Sequence, residues 1–211
     1  MDTTHTFTKR EELVNALIHG IGMLLSVAAL VILIVAGAKY GSAWHVVSFT
    51  LFGVSMLILY TASTLVHSFP AGKAKDLFEW LDHSSIYWFI AGTYTPFLFL
   101  AVKGTLAWVL FGIVWGLAIA GTLFKLYFVK RFVKLSTFLY VVMGWMIVFA
   151  WNPLTASMTQ EGLFLLIAGG VLYTVGAIFY VWRGFFYHHA VWHVFVLAAS
   201  VCHFFSIVTL I

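Results

Sequence analysis

The stretch YHHAVWHVFVLAASVCHFF, residues 187–205, decides the fold class and poses the functional question. After its opening histidines it is continuously apolar, without the polar alternation of a half-buried strand. A run of about 20 such residues crosses a bilayer core as one helix. Yet this run carries His188, His189, His193 and His203. Ionisable side chains inside a membrane span are costly, and they are functional candidates for that reason.

The rest of the chain reads the same way. Of its 211 residues, 63% are hydrophobic and only 9% are charged, and the mean hydropathy of +1.04 lies far outside the range of soluble domains. Seven candidate spans fall near residues 14–38, 43–67, 81–102, 105–126, 133–151, 162–182 and 188–210. The expected fold is an all-α integral membrane protein, a seven-transmembrane helix bundle. No linker, low-complexity tract or internal repeat divides the chain, so residues 1–211 are expected to form a single membrane domain. The polar segment 1–12 precedes an apolar run longer than a signal-peptide core and without a small-residue cleavage site, so the first span is expected to be retained. The polar interruption Ser68–Glu79 reads as a loop, and Pro96 should kink the third span. Cys202, the one cysteine, sits in an apolar run as a packing residue.

The net charge of +4 reflects topology. The basic residues form no interleaved patch, which excludes a nucleic-acid partner. With the N-terminus inside, Lys9, Arg10, Lys73, Lys75, Lys125, Lys130, Arg131, Lys134 and Arg183 are cytoplasmic, and only Lys39 and Lys103 are outside. That bias predicts a cytoplasmic N-terminus and, after seven spans, an external C-terminus.

This topology brings polar groups from four helices to one membrane face. Glu12, Asn15 and His19 share a stripe at the start of the first span, because their spacing of three and four residues matches the helical repeat. Ser63 and His67 close the second span, four residues apart. Asp82 opens the third beside His83, and His189 and His193 open the seventh.

Two histidines at i and i+4 project from one helix face about a turn apart and can share an ion. His67, from another helix at the same depth, completes a three-nitrogen set that leaves one coordination position open, the pattern of a catalytic zinc site. Imidazole also suits iron, copper, cobalt or nickel, but the absence of thiolate and of a redox partner favours zinc. Asp82 is positioned to hold or move a proton beside the ion, and its place at the start of a span equally suits a helix N-cap. Ser63 can contact the reacting water or carbonyl, or only its own backbone. His19 fits a hydrogen bond between helices better than direct ligation. His188 and His83 read as interfacial, and His45 lies at the opposite face. His203 is about 15 Å deeper than His193 along its helix, too far for the same ion; a neighbouring helix could satisfy it, or it could relay protons.

At these residues the chain resembles the bacterial hemolysin III family, part of the PAQR group of adiponectin and progestin receptors and, more broadly, of the CREST superfamily of membrane hydrolases. The resemblance covers essentially the whole chain. It rests on Glu12-x2-Asn15-x3-His19, Ser63-x3-His67, Asp82, the run AGTYTPF from Ala91 to Phe97, and His189-x3-His193. It implies seven helices with Zn2+ near the cytoplasmic face, ligated by His67, His189 and His193, with Asp82 contacting a water on the ion. It further implies a multi-pass protein of the bacterial cytoplasmic (inner) membrane. Eukaryotic relatives are associated with ceramide hydrolysis and bacterial ones with membrane fluidity.

The leading expectation is therefore a zinc-dependent hydrolase of amide or ester bonds in membrane lipids, with lipids as partners, Asp82 and Ser63 catalytic, and Glu12, Asn15 and His19 supporting the site. The alternatives are a membrane sensor with structural zinc and a haemolysin-type cytolytic protein, which the resident-membrane charge pattern fits poorly.

Overall fold

A computed structural model describes residues 7–211, and the polar residues 1–6 expected at the start of the cytoplasmic segment lie outside the described residues. No strand occurs among the described residues. Eight α-helices build seven spans: α1 (Lys9–Tyr40), α2 (Ala43–Ser68), α3 (Lys73–Pro96), α4 (Gly104–Phe128), α5 (Val133–Trp145), α6 (Trp151–Ser157), α7 (Gln160–Val181) and α8 (His188–Val208). A π-helical turn, Phe97–Val102, extends α3, and a 3-10 turn, Met146–Ala150, joins α5 to α6 as one span. All seven are long and apolar enough to cross a membrane.

The helix ends follow local chemistry. Thr8 caps α1 by accepting the Glu11 N–H at 3.2 Å, while Glu11 Oε2 accepts the Thr8 N–H at 2.9 Å, so two orphan donors are satisfied reciprocally. Thr159 accepts the Gly162 N–H at 3.1 Å and caps α7. Pro96 cannot donate to the helical ladder, and the α-helix changes to π-helix immediately after it. Lys103 (φ 56°) and Gly104 (φ 65°) then reverse the chain in a turn where glycine removes the Cβ penalty.

Helices α2 and α3 form the centre of the bundle, through Leu59, Tyr60, Phe89, Ala91, Tyr94 and Leu98. Side chains on the outer faces, such as Leu24, Val35, Ile119, Phe149 and Phe164, are exposed and apolar, as lipid requires. In lipid, helices associate by close packing more than by hydrophobic exclusion, and small residues permit it. At Gly22 of α1 the Tyr60 ring occupies the space a Cβ would need, and Gly92 of α3 lies equally close to Ser55 of α2. The last helix, α8, packs along α7 and closes on α1, whereas α5 is held more loosely against α3 and α7.

Several boundaries correct the sequence expectation. The first span begins at Lys9 and the fifth continues to Ser157. Most of Ser68–Glu79 is helix, because α3 starts at Lys73. Hydropathy misses these two turns, whose charged groups pair outward: Lys130 donates to Asp76 Oδ1 at 2.9 Å and pairs with Glu79 at 3.2 Å. The Asp76 hydrogen bond holds the Lys130 ammonium above its usual pKa range. Asp82 consequently sits in the third turn of α3 and is not an N-cap; Gly72 takes that position. Lys125, counted among the cytoplasmic charges at the end of the fourth span, is fully buried near the end of α4, with Glu79 the opposite charge acting on it.

Candidate metal centre

The buried face of α1 repeats as Glu11, Asn15, His19, Gly22, Ser26, Ala29 and Leu33, a stripe at helical spacing that packs inward. It delivers His19 and Asn15 toward the first turns of α8, where His189 and His193 project together one turn apart. The last turn of α2 supplies His67. One ligand nitrogen from each of His67, His189 and His193 lies within 4.8 Å of the other two, close enough to converge on one ion. The ring centroids are 5.1 Å apart for His67–His189 and for His67–His193, and 4.5 Å for His189–His193.

Hydrogen bonding sorts the nitrogens. His67 Nδ1 donates to Glu12 Oε2 at 2.5 Å, and Lys75 Nζ donates to Glu12 Oε1 at 2.6 Å. His193 Nδ1 donates to the Asn15 carbonyl at 3.4 Å. In each ring the outer nitrogen is engaged, which fixes the tautomer and leaves Nε2 as a bare lone pair. The Nε2 atoms of His67, His189 and His193 are buried and have no hydrogen-bond partner among the described residues. The open acceptors of His67 and His193, with the unpartnered ring nitrogen of His189 close by, carry a desolvation cost that an ion would relieve, so the donor set fits a divalent metal.

Around the trio, His19 shares a 2.6 Å hydrogen bond with Ser63 Oγ through Nδ1 and stacks on His193 with centroids 3.5 Å apart. Ser63 also neighbours the buried Asp82 carboxyl. The expected site residues are thus brought together: His19, Ser63 and Asp82 form a polar group adjoining the three histidines, and Glu12 supports His67. Asn15 contributes its main-chain carbonyl, and its buried amide has no hydrogen-bond partner among the described residues.

Two expectations change. His188 is buried, not interfacial, with Phe7 and Phe185 against its ring. His83 is half-buried and bonded to the Glu79 carbonyl and Tyr180 Oη, so it belongs to the packing between α3 and α7. His45 joins Ser42 and the Leu210 carbonyl at the opposite end of α2, as expected.

Sequence reasoning missed Glu11, Lys75, Phe7, Tyr180 and Trp192. Glu11 Oε1 accepts the Tyr187 N–H at 3.1 Å and thereby ties the start of α1 to the turn that aims α8. The three-residue spacing from Thr8 to Glu11 is a signal for a helix cap, not for this longer reach. Phe7 covers His189 with centroids 4.8 Å apart. Trp192 packs against His189 at 4.7 Å and against Tyr180 at 4.6 Å.

Two cavities lie near the centre. One is an open cleft of about 900 Å³ bordered by His67 and His189 and by the charged groups of Lys9, Glu12, Lys75 and Asp76. The other is a largely apolar cavity of about 130 Å³ lined by His19 and by residues of α3, α5, α7 and α8, among them Ile90, Val141 and Val196. Asp82 borders both.

The family profile described as Haemolysin-III related matches residues 7–204. The chain belongs to this family. It is similar to the Hemolysin-3 homolog of Bacillus subtilis (strain 168), 57% identical over 201 residues that cover 95% of this chain and 94% of the relative. It is also similar to Hemolysin-3 of Bacillus cereus, 52% identical over 198 residues covering 94% and 90% of the two chains. A more distant likeness is to the human protein named Monocyte to macrophage differentiation factor, 28% identical over 173 residues, 78% of this chain and 70% of that one. As a member of the Haemolysin-III related family with seven apolar helices, the chain is a multi-pass membrane protein.

Proposed function

We propose that this protein is a zinc-dependent hydrolase of amide or ester bonds in membrane lipids, with His67, His189 and His193 as ligands, resident in the bacterial cytoplasmic membrane with its N-terminus inside. One observation carries the reading: the ligand nitrogens of His67, His189 and His193 lie within 4.8 Å of one another, with His67 and His189 bordering an open cleft and Asp82, a neighbour of His67, bordering both that cleft and an apolar cavity. An amphiphile suits that junction, its headgroup in the cleft and its chain in the cavity, with the linking bond beside the histidines.

Zinc bound by three histidines supplies Lewis acidity, polarising a carbonyl and making a coordinated water acidic near neutral pH. The chain's own groups do the rest. Asp82, at the boundary of the two cavities, accepts a proton on its carboxylate and returns it to the leaving group. Ser63, held against His19, orients that carboxylate. Glu12, pinned by Lys75, keeps His67 turned with Nε2 inward. Phe7 and Trp192 pack against His189 and hold its ring in place beside the open cleft.

The test is metal analysis of the purified full-length protein beside a His189→Ala/His193→Ala variant, followed by mass spectrometry of lipid amides and esters incubated with each. Wild type should carry about one zinc per chain and release fatty acid, and the variant should do neither. Wild type without stoichiometric metal would sink the site. A second reading, a sensor with structural zinc, is supported by His19, whose Nε2 is also without a partner among the described residues while its ring stacks on His193. If His19 closes the fourth position, added inhibitor or azide will leave the spectrum of the cobalt-substituted protein unchanged. An exchangeable fourth position favours the hydrolase.

A further inference from the structure

Three non-glycine residues among those described have positive φ, and each stands immediately before a helix: Lys103 before α4, Phe132 before α5 and Tyr187 before α8. Tyr187 (φ 63°) leads directly into His188 and His189. The left-handed region strains a residue that carries a Cβ, and such residues persist where their surroundings hold them. A helix N-cap is ordinarily a small polar residue in the extended region, whose side chain accepts an N–H of the first turn. Tyr187 meets neither condition: its backbone is left-handed and its side chain makes no cap hydrogen bond. The local sequence of α8 therefore does not explain how the helix starts.

The hold comes from α1. Glu11 is only 3% exposed, and its two oxygens are divided between two segments of chain. Oε1 accepts the Tyr187 N–H at 3.1 Å, across 176 positions of sequence. Oε2 accepts the Thr8 N–H and the Thr8 hydroxyl, each at 2.9 Å. Lys103 is served differently, because its N–H goes to the Leu98 carbonyl at 2.8 Å, a few residues back along the chain.

Both segments that Glu11 holds lead to His189. Thr8 follows Phe7, whose ring centroid lies 4.8 Å from that of His189, and Tyr187 stands two positions before His189. A rotation at Tyr187 moves the first turn of α8 relative to α2, and hence His189 relative to His67. The other two histidines are oriented through Nδ1, by Glu12 for His67 and by the Asn15 carbonyl for His193. The His189 ring is held by packing against Phe7 and Trp192, and its Nε2 has no hydrogen-bond partner among the described residues. Its place is thus set by its backbone and by the rings beside it.

We propose that Glu11 is a positioning residue of the metal centre: its carboxylate holds Tyr187 in the left-handed conformation and Phe7 beside the ring, and so places His189 without touching it. The inference rests on the reading of His67, His189 and His193 as metal ligands. Adjacent carboxylates of α1 then divide the work, Glu12 acting on the ligand from α2 and Glu11 on the first ligand from α8.

The experiment measures zinc affinity by chelator competition on purified full-length protein, together with the visible absorption of the cobalt-substituted form, which reports ligand geometry. Glu11→Ala should weaken zinc binding about tenfold and shift the cobalt bands. Tyr187→Val keeps Glu11 and the α1 cap but disfavours positive φ, and it should weaken zinc to a similar extent. Tyr187→Gly loses the same aromatic ring yet takes the left-handed conformation freely, so it should bind zinc as wild type does. Added to Glu11→Ala, it should restore most of the lost affinity. Wild-type affinity in folded Glu11→Ala or in folded Tyr187→Val overturns the inference while the metal reading stands. So does a Glu11→Ala/Tyr187→Gly variant that binds no tighter than Glu11→Ala, which would leave Glu11 a cap of α1 alone. Wild type that holds no zinc overturns the metal reading and the inference with it. Should Glu11→Ala not fold, the double variant decides: folded and zinc-loaded it sustains the inference, and unfolded it overturns it.

Discussion

At two depths of the helix bundle, histidines are held in opposite senses. At the α1–α2–α8 junction, His67 and His193 engage Nδ1 with Glu12 and the Asn15 carbonyl and keep Nε2 open. Deeper in the bundle, His203 engages Nε2 with the Leu166 carbonyl and keeps Nδ1 open. The residue type and helix are shared, so the difference comes from the partner each ring meets. Convergence also separates them. Three nitrogens close together suit a cation, whereas the Nδ1 of His203 is enclosed by itself, with no other histidine beside it among the described residues. A histidine's chemistry here is decided by which nitrogen the neighbouring helix occupies.

The largest expected effect breaks the comparison at its metal end. Replacing both His189 and His193 with Ala should abolish metal binding, measured as zinc per chain by plasma mass spectrometry, without affecting the His203 end. Asp82→Asn keeps the ligand set and should lower the rate of lipid hydrolysis by roughly 10²- to 10⁴-fold, with zinc content unchanged. Loss of the ion in that variant would make Asp82 a support of the site, not a proton carrier. Glu12→Gln weakens the hold on His67 and should reduce zinc affinity roughly ten- to a hundredfold in a chelator competition.

A smaller effect tests the independence of the two ends. Gly169→Ala overpacks the His203 ring and should destabilise the bundle by about 1–3 kcal/mol in an unfolding titration. Combined with Glu12→Gln, its cost should add to within about 0.5 kcal/mol, since the two sites share no contact. Smallest of all, Thr8→Ala removes one side of the capping box and should cost about 1 kcal/mol, with little change in metal content.

The number of spans was legible in the sequence because continuous apolar runs of bilayer length permit few alternatives. So was the trio His67, His189 and His193, since the i, i+4 spacing and span order are both linear properties of the chain. The start of α3 was not. Lys75, Asp76 and Glu79 look like a loop to a hydropathy window, yet their partners Glu12 and Lys130 lie on other segments and only the fold supplies them. The burial of Lys125 and His188 escaped for the same reason. The role of Glu12 was half visible: its stripe was legible, but the hydrogen bond that sets the His67 tautomer crosses from α1 to α2. His203 was legible as too distant for the ion, while its open nitrogen became apparent only with α7 beside it.

The hydrogen bond from the Tyr187 N–H to Glu11 joins the first helix to the turn before the last. During synthesis the first helix leaves the ribosome with Glu11 in place, but its partner Tyr187 follows 176 residues later, and the imidazoles of His189 and His193 later still. On the proposed reading, a chain truncated before His189 would lack two of the three ligand imidazoles, and loading of an ion would report that synthesis had reached the last helix.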